Sequence, residues 1–572
     1  MAQATVPGPA AAGTSGKTFL GHPRGLSTLF FTEMWERFSY YGMRALLVLF
    51  MTAPLTAANP GLGFDDGRAG AIYGLYTSMV YLLALPGGWV ADNIWGQRRS
   101  VFVGGCIIAL GHFTLAAPLV GFPDLPSFFL GLFFIVVGTG LLKPNVSTMV
   151  GELYPAPEGG DTHQEREERG ARRDAAFSIF YMGINLGAIL GPFVCGTLGE
   201  EVNWHWGFSA AGFGMILGLI QYKYGDRFLG DVGILGAHHD PGDVARKSRN
   251  FYLSAGIAAA VVAVMAWVMA TGAVAITLQT FATWVGFGIL LLVILFFAYL
   301  LFSVAVAGAF LVLFLVLVAG LSTVFEPLTV AGQWAIVGTL ALFILSALGM
   351  KLSKGSDLPV DKDRLMVIFW LFLLAAIFWS GFEQAGSSMN LFAERLTDRT
   401  FGGWEMPTTW LQNVNPIFIV LMAPVFGWLW QWLAHRDANP SIPVKFGLGL
   451  LGLAAGFFVI SWGASYASAT ERVAVAWLVV TYFLHTCGEL ALSPVGLSSM
   501  TKLAPAGRVG QMMGVWFIAA ALGNLFAGLV AGQLETLEPA ALFRSVAMFT
   551  GAAGVVALVV APGAKRLMRG VE

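Results

Sequence analysis

The sequence predicts an all-α polytopic membrane protein, two groups of six spanning helices with a central inserted helical segment. Three observations carry that reading. The 572 residues are 57% hydrophobic and 11% charged, with mean hydropathy +0.73, which leaves too little polar surface for a soluble globule. Apolar runs of about 20 residues, enough to cross roughly 30 Å of hydrocarbon, recur with short polar breaks between them. The two halves of the chain also repeat one another at a constant offset. Spans without the alternation of a barrel must be helices, because lipid offers their backbone groups no other partner.

Residues 1–27 are small, polar and rich in Gly and Pro, and read as a flexible cytoplasmic tail, with the first span as signal anchor. Six runs follow at 28–54, 69–91, 99–121, 127–150, 174–199 and 206–224, giving an N-terminal bundle over 28–224. Residues 225–363 read as cytoplasmic linkers around inserted membrane helices at 251–350, where Glu326 is the one charge. Both flanks of the insert are basic, so its crossings are even in number: two, or four, given the uninterrupted run 283–321. The insert is expected to be peripheral and structural. Six further runs at 364–391, 407–434, 443–466, 472–502, 508–533 and 541–563 form a C-terminal bundle over 364–563, followed by a cytoplasmic tail at 564–572.

Lysine and arginine in short loops set the orientation. Arg98, Arg99, Arg166, Arg169, Arg172, Arg173, Arg246, Lys247, Arg249, Lys351, Lys354, Lys362, Lys565, Arg566 and Arg569 fall on one side of the threading; the other side offers Arg68, Arg395, Arg399 and Arg472. Both termini are therefore expected in the cytoplasm. A bacterial-type inner membrane is the expected location. The run EREERGARRD (165–174) reads as a solvated cytoplasmic loop.

The repeat appears in PNVSTMVGELYP (144–155) against PVGLSSMTKLAP (494–505), and in Glu33 against Glu383, both at an offset of 350 residues. Transporters with internal repeats place the substrate site at the repeat interface. Prolines 144 and 494, on equivalent helices, could supply gating bends.

Charges inside spans are costly and point to function unless they snorkel or pair. FTEMWERFSYYGMR (31–44) sets Glu33, Arg37, Tyr40 and Arg44 at i, i+4, i+7 and i+11, with Glu36 beside Arg37. An internal salt bridge that merely fixes packing is the bland alternative, but two acids and two bases exceed what packing requires. Lys143, Glu383 in WSGFEQ and Glu489 in CGELALSP lie on other spans and lack an obvious partner in their own helices. Their partners must come from elsewhere in the fold or from a substrate.

EMWER (33–37), FYMGINLG (180–187) and GELALSPVG (488–496) resemble the ExxER, FYxxINxG and tenth-span motifs of the proton-dependent oligopeptide transporter family, POT/PTR, of the major facilitator superfamily. ADNIWGQRR (91–99) resembles the wider superfamily's loop motif DxxxGxRR, through Asp92, Gly96, Arg98 and Arg99. The resemblance implies a 6+6 helix fold and a proton-coupled symporter that imports di- and tripeptides by alternating access, with protons as coupling ion and no cofactor. It implies that Glu33, Glu36 and Arg37 form a proton-responsive cluster facing Lys143, since an acid binds a proton more readily once its cationic partner leaves. Such groups titrate together, so either glutamate could carry the proton. Glu383 would pair with Arg44 in the outer gate and in proton coupling. Glu489 would hold the peptide ammonium, and Arg37, Arg44 and Lys143 its carboxylate, where arginine's planar fork suits the task. Asn185 would bond peptide backbone, with a helix-to-helix hydrogen bond as the alternative. Tyr40, Tyr41, Tyr76, Trp379, Asn415 and Trp516 match cavity-lining positions, although each aromatic could equally be core packing. Gly183, Gly187 and Gly191 form a small-residue stripe that permits close helix contact.

Other chemistries fit less well. SGKT (15–18) has Ala11 where a phosphate loop needs glycine, and no strand precedes it. The eight histidines lack an HExxH pattern, and the adjacent His238 and His239 lie in a loop, so no metal site is expected. Cys106, Cys195 and Cys487 sit in apolar stretches and suggest neither a disulfide framework nor a metal cluster. A net charge of −1 with scattered basic residues gives no reason to expect nucleic acid. A monomer in the lipid bilayer is expected. The competing readings are the same carrier moving nitrate or another small organic anion and, from a different class, an intramembrane hydrolase.

Overall fold

The computed structural model describes residues 18–154, 163–236, 240–270, 277–302, 359–468 and 470–571, with single positions 308 and 312. The tail to residue 17, Pro155, the side chain of Arg166, His238, His239, Glu326, Lys351 and Lys354 lie outside the described residues.

Helices dominate. In chain order they are α1 (Gly25–Thr52), α2 (Asp66–Leu82), α3 (Ala84–Val90), α4 (Gln97–Leu115), α5 (Asp124–Glu152), α6 (His163–Gly191), α7 (Thr197–Glu201), α8 (Trp204–Gly225) and α9 (Pro241–Ala270). They continue as α10 (Leu278–Leu301), α11 (Val360–Phe382), α12 (Ser388–Leu396), α13 (Val414–Ala434), α14 (Ile442–Ala464), α15 (Ala476–Leu503), α16 (Val509–Ala531) and α17 (Pro539–Leu567). Among the described residues ten stretches are long and apolar enough to cross a membrane; nine coincide with spans predicted from sequence, and the tenth is Leu278–Leu301 of the insert. The three other predicted spans are occupied by α1, α4 and α8.

Two predicted spans end or break where local chemistry demands it. The 99–121 run is helical only to Leu115, after which a 3-10 turn, Ala117–Val120, carries Pro118; proline cannot supply the amide that would continue the helix. The 364–391 run is interrupted: α11 stops at Phe382, a 3-10 turn occupies Glu383–Gly386, and α12 starts at Ser388. Glycine and serine, poor helix formers, sit at the interruption in Gly386, Ser387 and Ser388.

The described chain forms two compact units. The first holds α1 as far as Met43 and the chain from Leu83 to Ala263; the second holds Arg44 to Leu82 and the chain from Val264 onward. In the first, Leu26, Leu29, Ile108, Leu142, Met149 and Met215 belong to one buried core. Helices α4 and α5 meet at Gly104 and Gly138, where a Cβ on either would lie 2.6 Å from the other's carbonyl oxygen. In the second unit α2 and α16 meet through Gly70 and Gly528, each again 2.3 Å from the other's carbonyl by the same measure. Glycine at both faces of a crossing lets backbones approach closely, which membrane helices exploit because apolar burial gives no drive to associate in lipid.

The insert's α10 also belongs to the second unit, with Ala282 buried against Ala71 and Leu525 and Phe297 4.9 Å from Phe369 between ring centres. After α12, β1 (Thr397–Asp398) pairs in parallel with β4 (Val473–Ala474). β2 (Thr400–Phe401) and β3 (Trp404–Glu405) form a small hairpin.

Candidate functional site

In the first unit, helical spacing brings the α1 charges together. Glu33 and Arg37 are one turn apart, and Arg37 Nε lies 3.1 Å from Glu33 Oε1 and 2.5 Å from Glu36 Oε2. Both carboxylates are thus paired with a single nitrogen. Glu36 is 1% exposed and Arg37 4%, so the pairing stands in for the hydration each charge has lost. The second oxygens, Glu33 Oε2 and Glu36 Oε1, are buried with no hydrogen-bond partner among the described residues. The Arg37 guanidinium also lies 5.2 Å from the Tyr40 ring centre and 6.0 Å from that of Tyr41, within cation–π range. Lys143, just before Pro144 inside α5, acts electrostatically on Glu33.

Helix α6 lies against this part of α1 through its glycines. A Cβ at Gly187 would sit 2.2 Å from the Met34 carbonyl oxygen, and one at Gly191 2.5 Å from that of Phe38. Asn185, on the same helix, donates its amide to the Tyr181 carbonyl at 3.0 Å, a bond within its own helix.

The loop motif acts through backbone acceptors. Arg98 donates Nε to the Val232 carbonyl at 2.6 Å and Nη2 to that of Gly230, and its Nη1 lies 3.3 Å from Asp226. Glu152 accepts the Gly233 amide at 2.9 Å, so the segment after α8 is gripped from two sides. Gly96, at φ +76°, leaves room for this segment: a Cβ there would meet the Leu235 nitrogen at 2.7 Å. Asp92 accepts from Gln97 at 3.0 Å, and the Arg99 guanidinium lies 5.3 Å from the Trp95 ring centre.

Residues of the second unit named from the sequence meet in two polar centres among the described residues. Arg44 donates Nη2 to Glu383 and Nε to the Tyr73 hydroxyl at 2.6 Å, all three side chains being buried. One residue along α1, the Ala45 carbonyl accepts from Asn390 of α12 at 2.9 Å. At the other centre, Asn415 Nδ2 donates to Glu489 at 3.1 Å and to Thr486 at 2.9 Å. Trp379 packs edge-on against Phe378 and Phe382, and its indole nitrogen has no acceptor among the described residues. Trp516 lies over Gly496, where a Cβ would come within 2.2 Å of its ring. Tyr76 is buried one turn along α2 from Tyr73.

A family model described as POT family matches residues 98–239 and 344–543. The chain is 39% identical to the peptide transporter YePEPT of Yersinia enterocolitica over 95% of each protein. The chain belongs to the POT family. It is also 37% identical to a di-/tripeptide transporter of Lactococcus lactis subsp. cremoris over 88% of each. Among solved structures it resembles the peptide transporter POT in complex with sulfate (TM-score 0.75, 36% identity, 97% of each chain). A POT family transporter in complex with a thioalcohol-conjugated peptide gives TM-score 0.75 at 30% identity, covering 96% of this chain and 98% of the other. This POT family member therefore has the major facilitator type of fold and is an integral membrane protein.

Several groups in this POT family member's polar centres escaped the reading of its sequence. Thr486 lies three residues before Glu489, so helical spacing alone could have placed it beside the acid. Tyr73 and Asn390 could not be found that way, because their partners on α1 are remote in sequence, and neither could Gly386, whose neighbour Tyr73 comes from α2. Glu152 and Asp226 resembled ordinary loop charges.

Proposed function

We infer that this POT family member is a proton-coupled symporter that imports di- and tripeptides across the cytoplasmic membrane by alternating access. It is a peptide transporter and not an enzyme. The observation that carries the proton coupling is the buried cluster on α1, in which Glu33 and Glu36 share one Arg37 nitrogen. When a conformational change draws the guanidinium or Lys143 away, a buried carboxylate can regain neutrality by taking a proton. The cluster titrates as a unit.

In this reading Glu489, held by Asn415, takes the peptide ammonium, while Arg37, Arg44 and Lys143 offer charge to its carboxylate. Tyr40, Tyr41, Tyr76, Asn185, Trp379, Asn415 and Trp516 line the path. Asp92, Gly96, Arg98 and Arg99 brace the cytoplasmic side, supported by the grip of Arg98 on the segment after α8. Residues 28–224 and 364–563 act as the two six-helix bundles, for which the 350-residue repeat is the support. The carrier works as a monomer in the inner membrane, termini inside, with protons as coupling ion and no resident cofactor.

Proteoliposomes with an inward proton gradient should accumulate dialanine or trialanine. Glu489→Gln should weaken peptides with a free amino terminus more than N-acetylated ones; equal loss would remove Glu489 from amine recognition. Wild-type vesicles that ignore peptides and move nitrate would overturn the cargo.

A further inference from the structure

The Arg44–Glu383 pair does not stand by itself. The guanidinium is planar, so its direction is set once two of its edges are held. One edge meets Glu383 through Nη2; the Nε edge donates to the Tyr73 hydroxyl at 2.6 Å. Tyr73 has no exposed surface, so its phenol ring cannot move aside into solvent. What makes room for it is a missing side chain. A Cβ at Gly386 would lie 2.0 Å from the Tyr73 hydroxyl oxygen, 2.9 Å from its Cζ and 3.0 Å from Arg44 Nε.

Glu383, Gly386 and Asn390 stand at i, i+3 and i+7 across the interruption between α11 and α12, and each meets this one place. Glu383 accepts from Arg44, Gly386 admits the phenol, and Asn390 donates to the Ala45 carbonyl. Among the described residues, ionisable groups of α15 also act on the centre: Tyr482 on Arg44 and Tyr73, and Glu489 on Glu383.

We propose that Tyr73 is a positioning residue that aims Arg44 at Glu383, and that Gly386 is glycine because any side chain there would displace the Tyr73 hydroxyl. The inference rests on the transport reading, in which the Arg44–Glu383 pair couples peptide movement to protons. Tyr73 touches neither peptide nor proton in this role; it decides whether the arginine faces the acid.

The test compares Tyr73→Phe, Gly386→Ala and the double variant with wild type in proteoliposomes. Dialanine uptake is measured under a proton gradient and in counterflow, together with the unfolding temperature of the detergent-solubilised protein. Tyr73→Phe, which removes one oxygen, should lower gradient-driven uptake about tenfold and leave counterflow within about twofold, because a buried guanidinium edge loses its acceptor. Gly386→Ala should lower gradient-driven uptake at least as much and also lower the unfolding temperature. The double variant should match Tyr73→Phe in uptake and regain part of the lost unfolding temperature, since the 2.0 Å contact is gone and only the 2.9 Å approach to Cζ and the 3.0 Å approach to Arg44 Nε remain. Additive losses in the double variant, or gradient-driven uptake by Tyr73→Phe within twofold of wild type, would overturn the proposal. Wild type that takes up no dialanine overturns the transport reading instead, and the unfolding temperatures of the three variants still decide whether Gly386 serves the phenol.

Discussion

Helix α1 carries two arginines whose surroundings differ in kind. Arg37 meets Glu33 and Glu36, both within four residues of it on the same helix. Arg44, two turns later, meets Glu383 across 339 residues of sequence and Tyr73 across 29. The first cluster is local and needs only a helix to form. The second needs α1, α2 and the interruption of α11 and α12 to be in place, so it reports on tertiary structure in a way the first cannot.

The largest effect should come from removing the local cation. Arg37→Ala would leave two buried carboxylates without the nitrogen both now use, and uncompensated buried charge costs about 3–5 kcal/mol. A markedly lower unfolding temperature and loss of gradient-driven uptake are expected. Adding Glu36→Gln to Arg37→Ala should recover stability and leave uptake lost, because the charge penalty is relieved while the switch stays broken. If the double variant were no more stable than Arg37→Ala, shared pairing on one nitrogen would not be what holds the cluster.

Glu383→Gln should cost less, because it removes the charge but leaves an acceptor in its place. Arg44 would keep its bond to Tyr73, and an amide oxygen could still accept from the guanidinium. Gradient-driven peptide uptake should fall while counterflow persists. A Glu383→Gln carrier that still accumulates peptide against its gradient would confine proton coupling to the local cluster.

The same contrast explains what could be read in advance. Glu33, Glu36 and Arg37 stood on one stripe at helical spacing, and the spans themselves were visible as apolar runs because lipid forces the backbone to bond within each segment. Glu383 was visible as a charge out of place, and the family resemblance paired it with Arg44. Tyr73 was not visible, since a tyrosine in a span has no periodicity that separates packing from hydrogen bonding. Gly386 was hidden for the opposite reason: what it contributes is an absent atom, whose value depends on a phenol brought in from α2. The break at Glu383–Gly386 went unseen although Gly386, Ser387 and Ser388 mark it, because the wholly apolar stretch 365–379 dominates the run 364–391.

The smallest effect lies at the edge of the same unit. Arg395 of α12 reaches Asp66, the first residue of α2, through two parallel bonds at 2.7 and 2.8 Å, so this pair too joins elements remote in sequence. Unlike Arg44, the Arg395 side chain is 41% exposed. Water and salt therefore compete for it, and exposed pairs contribute about 0.2–1 kcal/mol. A double-mutant cycle of Asp66→Asn and Arg395→Gln on the unfolding temperature should give a small coupling that shrinks further in high salt. A coupling as large as that of Arg44 with Glu383 would mean that sequence-remote pairing, and not burial, sets the strength of these contacts.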